Sequence, residues 1–192
     1  MKRPYVQVAR ARSAERTAER ILDAAYARFV GELYGEVTLD RIAADAGVTT
    51  QTVIRRFGSK EGLVRALTQR IAPRVAAQRA KAPAGDLRGA VGNLVEHYES
   101  EGDMALHLLR QEQQVPAFAE VTDLGKRLHA EWCARVFASW LEHLDGADRE
   151  RRMAQVVATC DVCTWHLLRR QRGLSRRQTE LALVELLEGV LS

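Results

Sequence analysis

The chain has 192 residues, of which 46% are hydrophobic and 28% charged, with a formal net charge of +4, so it can bury a substantial core. No segment approaches the run of about 18 apolar residues that a membrane helix requires, and residues 1–12 lack the apolar stretch of a signal peptide. Three cysteines, an odd number, favour reduced thiols over a disulfide framework. We therefore expect a cytoplasmic globular protein.

Positive charge is concentrated in the first part of the chain. Residues 1–81 contain 16 Lys and Arg against 8 Asp and Glu, a net +8, whereas the remainder contains 13 against 17, a net −4. A basic half joined to an acidic half is typical of a nucleic-acid-binding domain joined to a domain with another task. A solvated basic surface is the alternative interpretation.

Helical periodicity extends through the whole sequence, and no convincing strand pattern is present. Good helix formers fill the periodic segments, and glycine and proline separate them. The sequence predicts an all-α fold of about nine helices. Their predicted ranges are 13–33, 39–46, 50–57, 60–79, 86–100, 104–113, 117–143, 147–172 and 176–191.

The second and third predicted helices are short and adjacent. Thr38 is a suitable N-cap for the second helix, and Gly47 ends it because glycine adopts the left-handed turn conformation at little cost. The third helix starts at Thr49 or Thr50 and turns Val53 toward the core. A short helix, a glycine turn and a second short helix form a helix-turn-helix motif.

The residues 38–67 read TLDRIAADAGVTTQTVIRRFGSKEGLVRAL and follow an amphipathic helix that contains Phe29. This pattern resembles the TetR family of bacterial transcriptional regulators. Two later segments, TDLGKRLHAEWCARVFASWL and CDVCTWHLLRRQRGLSRRQTE, resemble the effector domain of part of that family. The sequence departs from the family at Ile54, where Tyr is usual and often contacts a phosphate, and at Arg56, where His or Tyr is usual.

The resemblance implies four segments: a basic arm (1–12), a helix-turn-helix DNA-binding domain (13–59), a connecting helix (60–81) and a ligand-binding and dimerisation domain (82–192). It also implies a homodimer that binds a double-stranded DNA operator. Such proteins are mostly repressors that a small-molecule effector, here unidentified, releases from a palindromic site. We expect no cofactor, no membrane partner and no enzymatic activity, because no catalytic motif or phosphate-binding glycine loop is present.

Two kinds of DNA contact are expected, since base contacts specify sequence and phosphate contacts fix orientation. Gln suits adenine, Arg suits guanine and a threonine methyl suits thymine, so we assign Thr50, Gln51 and Arg55 to bases. We assign Thr38, Thr49, Thr52 and Lys60 to phosphates, with Arg56 as an electrostatic replacement for the usual phenol. The arm, with Lys2 and Arg3, is expected to reach a minor groove or neighbouring phosphates.

The carboxy-terminal half supplies two sets of candidate residues. The ligand-binding candidates, chosen because aromatic and mixed polar side chains suit a small apolar ligand, are His97, His107, Trp132, Cys133, Phe137 and Trp165. The dimer candidates form apolar stripes on the last two predicted helices: Val156, Cys160, Cys163, Leu167, Leu181, Val184, Leu187 and Leu191. Intramolecular core packing is the alternative for both sets.

Three alternative functions are open. The spacing of His129 and Cys133, and the segment CDVC at 160–163, allow a metal-responsive or thiol-responsive regulator, although no metal site is predicted because two separated ligand pairs are lacking. A helical nucleic-acid or interaction module without ligand control would use the basic half on RNA or lipid. Against RNA as the partner, the sequence lacks the stacking aromatic residues of single-strand binders.

Overall fold

The computed structural model describes the backbone of residues 3–192 and the side chains from Arg12 onward. Within these residues the regular structure is entirely helical, which confirms the predicted all-α fold. None of these helices combines the length and apolarity needed to span a bilayer. The helices are α1 (Arg3–Gly31), α2 (Leu39–Asp45), α3 (Thr50–Phe57), α4 (Lys60–Ala80), α5 (Leu87–Leu109), α6 (Pro116–Val136), α7 (Ala138–Leu141), α8 (Gly146–Thr159), α9 (Val162–His166), a π-helical turn (Leu167–Gln171) and α10 (Arg176–Leu191).

The first helix begins earlier than the sequence predicted. Helix α1 starts at Arg3, so residues 3–12, predicted as a separate arm, prolong this helix. The proposed contacts of Lys2 and of the Arg3 side chain lie outside the described part of the structure. The prediction placed the start at Ser13 because the apolar spacing that marks the buried face begins only at Ile21.

Three other boundaries differ from the prediction. The two helices predicted at 86–100 and 104–113 are one helix, α5, because Gly102 serves packing and not a turn. A Cβ at Gly102 would lie 2.6 Å from Cζ3 of the buried Trp165 ring. The long helix predicted at 117–143 ends at Val136. The one predicted at 147–172 ends at Thr159, and Asp161 then caps α9 by accepting from the Cys163 N–H at 2.8 Å.

Two hydrophobic cores organise the chain. The amino-terminal core packs α1 to α4 around buried Ile21, Phe29 and Ile42, and the carboxy-terminal core packs α5 to α10 around residues such as Trp165. The amino-terminal core also takes in Phe118 from the start of α6, whose ring lies 5.0 Å from that of Tyr34. The two domains are therefore joined by packing as well as by helix α4.

Tyr34 lies at the centre of the polar contacts near this junction. Its backbone N–H donates to Gln111 Oε1 at 2.9 Å, and its hydroxyl donates to Glu61 Oε1 at 2.7 Å. Beside it, His107 Nε2 lies 2.9 Å from the backbone oxygen of Glu32. The carboxy-terminal domain thus contacts both the loop after α1 and, through Tyr34, the first turn of α4.

The Glu61→Gln variant is expected to lower the Tm near neutral pH and to have progressively less effect in acid. Hydrogen bonds from Ser59 and from the Tyr34 hydroxyl lower the pKa of Glu61 from 4.5 to about 2. Because the folded pKa lies below the unfolded one, this stabilisation is complete above pH 4.5 and is lost as the pH falls through about 2. Thermal unfolding measured across that range checks the expectation.

The matched control is Glu131→Gln, an exposed position on α6 whose carboxylate has no hydrogen-bond partner among the described residues. Its Tm difference from the parent protein should be small and nearly independent of pH. A Glu61→Gln difference that stays constant from neutral pH to pH 3 would contradict the role given to this carboxylate.

Candidate nucleic-acid interface

Side-chain caps and a glycine turn shape the helix-turn-helix motif. Thr38 caps α2 by accepting from the Arg41 N–H at 3.3 Å, and Thr49 caps α3 by accepting from the Thr52 N–H at 3.3 Å. Between them Gly47 has a φ of 62°, which a side chain would strain. Both threonines are exposed, so the amino terminus of each helix is accessible to an anion such as a DNA phosphate.

Salt bridges fix α2 against α1. Arg28 Nε lies 2.6 Å from Asp45 Oδ2, and Glu32 bridges Arg28 and Arg41 at 2.6 Å each. These arginines are therefore occupied within the protein. Holding α2 in place also sets the position of α3, which packs on it.

The outward face of α3 carries the side chains predicted to contact bases. Gln51 and Arg55 are exposed and four residues apart, so they lie on the same face of the helix. Arg55 and its neighbour Arg56 form no salt bridge within residues 12–192, unlike Arg28. The Thr50 hydroxyl donates to Asp40 Oδ1 at 2.5 Å, which leaves its methyl and its oxygen lone pairs, but no O–H, for a base.

A shallow groove of about 510 Å³ separates the amino-terminal half of α1 from α3. Hydroxyl groups and two guanidinium groups surround it, a set that suits the oxygen atoms of phosphate. The Thr49 and Thr52 hydroxyl oxygens are 3.0 Å apart at one side. The lining residues are Ser13, Ala14, Thr17, Val48, Thr49, Thr52, Arg55 and Arg56.

A second depression of about 390 Å³ lies where the amino termini of α2 and α4 meet the end of α3. Ile54, 41% exposed, occupies its wall at the position where the family usually carries tyrosine. Lys60 lines it too, but its ammonium donates to the backbone oxygens of Tyr34 at 2.8 Å and Val37 at 2.9 Å. Lys60 therefore holds the loop before α2. One N–H of its ammonium group is left for the predicted phosphate contact.

The predicted ligand residues do not form one group. His97, Trp132 and Cys133 lie near the end of α4, around a side chain that the prediction missed, Arg79. His107 instead lies at the domain junction. Phe137 and Trp165 are both 0% exposed in the carboxy-terminal core, to which Trp132 and Cys133 also belong, and the Phe137 ring lies 6.0 Å from that of Trp132.

The predicted dimer residues divide in the same way. Fully or almost fully buried within the single chain, and so core rather than interface, are Val156, Cys160, Val184 and Leu187. Cys163 is exposed, Leu191 is half-buried, and Leu167 and Leu181 are 45% and 43% exposed. The prediction missed Leu186, which is 48% exposed on α10.

The proposed metal-responsive alternative depends on His129 and Cys133. His129 Nε2 lies 3.7 Å from Cys133 Sγ, within the distance of a hydrogen bond that involves sulfur. Among the residues whose side chains are described, no cluster of three or more His, Cys, Asp or Glu side chains is arranged to hold a metal ion.

Comparison with known proteins identifies a family that matches the helix-turn-helix region and solved structures that share the fold. Residues 21–67 match the family of bacterial regulatory proteins called the tetR family. A transcriptional regulator from Rhodococcus sp. Rha1 is 18% identical, with a TM-score of 0.67 over 93% of this chain and 96% of that one. The complex of SmeT with triclosan gives 18% identity and a TM-score of 0.68 over 90% of each chain. No curated protein matches significantly.

A TetR-like transcriptional regulator from Rhodococcus sp. RHA1 is 22% identical, with a TM-score of 0.59 over 89% of this chain and 93% of that one. At such identities the solved structures establish the fold, which extends over both domains. The match at residues 21–67 covers the helix-turn-helix motif and its supporting helices. Residues 21–67 therefore form a DNA-binding domain of the tetR family of bacterial regulatory proteins, and the chain is a DNA-binding transcriptional regulator.

Proposed function

We propose that the protein is a homodimeric repressor that binds a palindromic operator and is released from it by a small-molecule ligand. The observation that carries the proposal is the outward face of α3, where exposed Gln51 and Arg55 stand four residues apart with no salt bridge to the rest of the described chain. Such a face can enter a major groove and present its polar groups to base edges.

The contacts of this interface divide by position. Gln51 and Arg55, with the Thr50 methyl, contact bases. Thr38 and the groove between α1 and α3, including Arg56, contact the phosphates on either side. Arg56 supplies the charge-assisted hydrogen bond that the phenol usual at position 54 does not supply here.

Dimerisation rests on exposed apolar side chains of the last helices. Leu181 and Leu186 on α10 and Leu167 on the π-helical turn each expose over two fifths of their surface, which costs free energy in water. A second copy of the chain covers them in a two-fold symmetric contact. Two recognition helices then read two half-sites about one helical turn, or a multiple of it, apart.

The double substitution Leu181→Glu with Leu186→Glu is expected to raise the dimer dissociation constant about 30-fold, because it places charges where apolar area is buried. Sedimentation equilibrium measures this directly. The control is Leu128→Glu on α6, where the leucine is equally exposed, at 48%, but lies outside the proposed interface. Equal weakening by both variants, or by neither, would contradict the assignment of α10.

Ligand control requires the ligand to bind two dimer geometries with different affinity. Helix α4 connects the carboxy-terminal domain with the recognition helix α3. It begins at Lys60 beside α3 and ends at Ala80 between α5 and α6. The Tyr34 junction provides a second contact between the domains. The complex of the structurally similar SmeT with triclosan supports the small-molecule part of the proposal.

Selection of bound duplexes from a random pool tests the proposal as a whole. The expected result is a palindrome with two half-sites, bound with an affinity that falls steeply as salt rises. Recovery of single-stranded RNA from a mixed pool, or duplexes with no common sequence, would favour the interaction-module alternative. Recovery of a single unpaired half-site would support sequence-specific DNA binding and contradict the proposed homodimer.

A further inference from the structure

Arg79 is an unusual arginine in this chain. It lies in the last turn of α4, with its guanidinium carbon 4.1 Å over the ring of Trp132 and Nη2 3.0 Å from His129 Nδ1. Its other terminal nitrogen, Nη1, is buried and has no hydrogen-bond partner. Burial lowers the pKa of Arg79, as expected for a cation removed from water.

The other arginines of the helix-packing surfaces have carboxylate partners. Arg70 pairs with Asp23 at 2.7 Å, Arg74 pairs with Glu101, and Arg169 pairs with Glu99 at 2.7 Å. Arg79 is more buried than Arg70 and Arg74, and it forms no salt bridge with any residue of the described chain. A buried cation without a counterion costs more free energy than an exposed one. The site therefore lacks an anion beside Arg79.

The groups around Arg79 add no negative charge from carboxylates. His97 on α5 is largely buried, and burial together with Arg79 and His129 lowers its pKa to about 3, so it is neutral at physiological pH. The Tyr98 hydroxyl donates to the backbone oxygen of Cys160 at 2.9 Å. We call Arg79, His97, His129, Trp132 and Cys133 the Arg79 cluster.

The Cys133 thiol lies beside His129 and close to Arg79. A hydrogen bond from Cys160 lowers its pKa to about 6, with further contributions from His129 and Arg79. The sulfur contacts His129 at 3.7 Å, whereas Arg79 Nη1 stays without a partner.

We propose that the Arg79 cluster binds the carboxylate of a small organic ligand. The two carboxylate oxygens accept from Nη1 and Nη2 of Arg79 in a bidentate pair, and the apolar part of the ligand lies along Trp132. This inference rests on the proposed function, because it gives the chemical class of the effector.

His129 makes room for the carboxylate. It is only half-buried, and besides Arg79 it has two long contacts, 3.3 Å from Nε2 to the backbone oxygen of Val157 and 3.7 Å to Cys133 Sγ. A carboxylate that displaces the ring from Arg79 Nη2 exchanges a neutral acceptor for a charged one, and charge-assisted hydrogen bonds are the stronger.

The position of Arg79 couples the site to DNA binding. Its backbone oxygen accepts from Trp132 Nε1 at 3.1 Å and from Arg135 Nη2 at 3.2 Å, so α6 holds the last turn of α4. A ligand between Arg79 and α6 alters the contact that positions one end of α4. The opposite end of that helix adjoins α3.

The test measures binding of acetate, octanoate and benzoate, each against its amide, to the free full-length protein by thermal shift and NMR titration. The expected result is that at least one carboxylate binds better than its amide, and that Arg79→Gln weakens this carboxylate about 10- to 100-fold while leaving the amide unchanged. Arg74→Gln on the same helix is the control and should keep wild-type binding.

Two further variants keep the inference testable if Arg79→Gln fails to fold. Arg79→Lys retains the charge without the two-pronged donor and should weaken the carboxylate, and His129→Ala should strengthen it by vacating space. The inference would be overturned if no carboxylate bound more tightly than its amide to either the wild type or His129→Ala. It would also be overturned if Arg79→Gln preferred the carboxylate over the amide as strongly as the wild type does.

Operator binding is measured separately, by fluorescence anisotropy of the duplex recovered by selection. If the protein binds the operator but does not prefer a carboxylate over its amide, the Arg79 site alone is rejected. Carboxylate discrimination without binding to any duplex rejects the proposed function alone.

Discussion

Replacing Gly62 with alanine is expected to weaken operator binding at least about 100-fold, because two or more base contacts of about 1–3 kcal/mol each are lost together. Gly62 is in the first turn of α4, and a Cβ there would lie 1.7 Å from the backbone oxygen of Phe57, the last residue of α3. A backbone atom cannot rotate away, so the end of the recognition helix must move relative to α4.

The same substitution should lower the free energy of unfolding by about 3 kcal/mol, the upper range for an overpacked site. For a chain of this length that corresponds to a fall in Tm of about 6–12 °C. Fluorescence anisotropy and thermal unfolding of the same preparation give both values. The folded fraction at the binding temperature then separates a displaced α3 from a protein that is merely unfolded.

Gly125→Ala is the matched control. Gly125 lies inside α6, where a Cβ would meet no heavy atom within 4 Å. Alanine there should stabilise the helix by up to about 1 kcal/mol and leave DNA binding unchanged. Wild-type operator affinity in Gly62→Ala would show that the α3–α4 connection tolerates movement and does not fix the recognition helix.

The helix-turn-helix motif could be predicted from sequence because its signals are local. The caps at Thr38 and Thr49 and the left-handed turn at Gly47 each depend on residues within a few positions of one another. Exposure of Gln51 and Arg55 follows from the same helical period that buries Val53. Local chemistry and the tertiary fold agree here.

Features that depend on distant residues could not be predicted. The sequence predicts a break between residues 100 and 104, but Gly102 there packs against the ring of Trp165, more than sixty positions later. A phosphate contact is predicted for Lys60, but its hydrogen bonds to carbonyl oxygens of the loop before α2 could not be predicted. In both cases the deciding partner becomes a neighbour only on folding.

The dimer and ligand residues could not be separated from the core by sequence for another reason. An apolar stripe on a helix has the same pattern whether it meets its own core or a second chain, so Leu187 and Leu181 could not be separated before burial was known. Arg79 was missed because a single arginine near a helix end ordinarily interacts with the helix dipole and solvent. Only its burial beside α5 and α6 distinguishes it.

Arg55→Ala is expected to abolish most of the discrimination between operator and random duplex. A bidentate contact from arginine to guanine contributes about 1–3 kcal/mol, and a symmetric dimer makes it at two half-sites, so the expected loss is about 2–6 kcal/mol. The variant should relax the preference at one base position in each half-site. Competition titrations on single-position operator variants measure both effects.

Arg56→Ala is the matched comparison, since the two arginines are adjacent, both exposed and alike in charge, so each variant removes the same charge. Its loss should be similar on operator and random duplex, and the slope of log affinity against log salt should fall by about 1 per protomer. An equal loss on every sequence for Arg55→Ala would move Arg55 to the phosphate contacts. Unchanged affinity and salt slope in Arg56→Ala would mean that no side chain at position 56 replaces the phenol absent at Ile54.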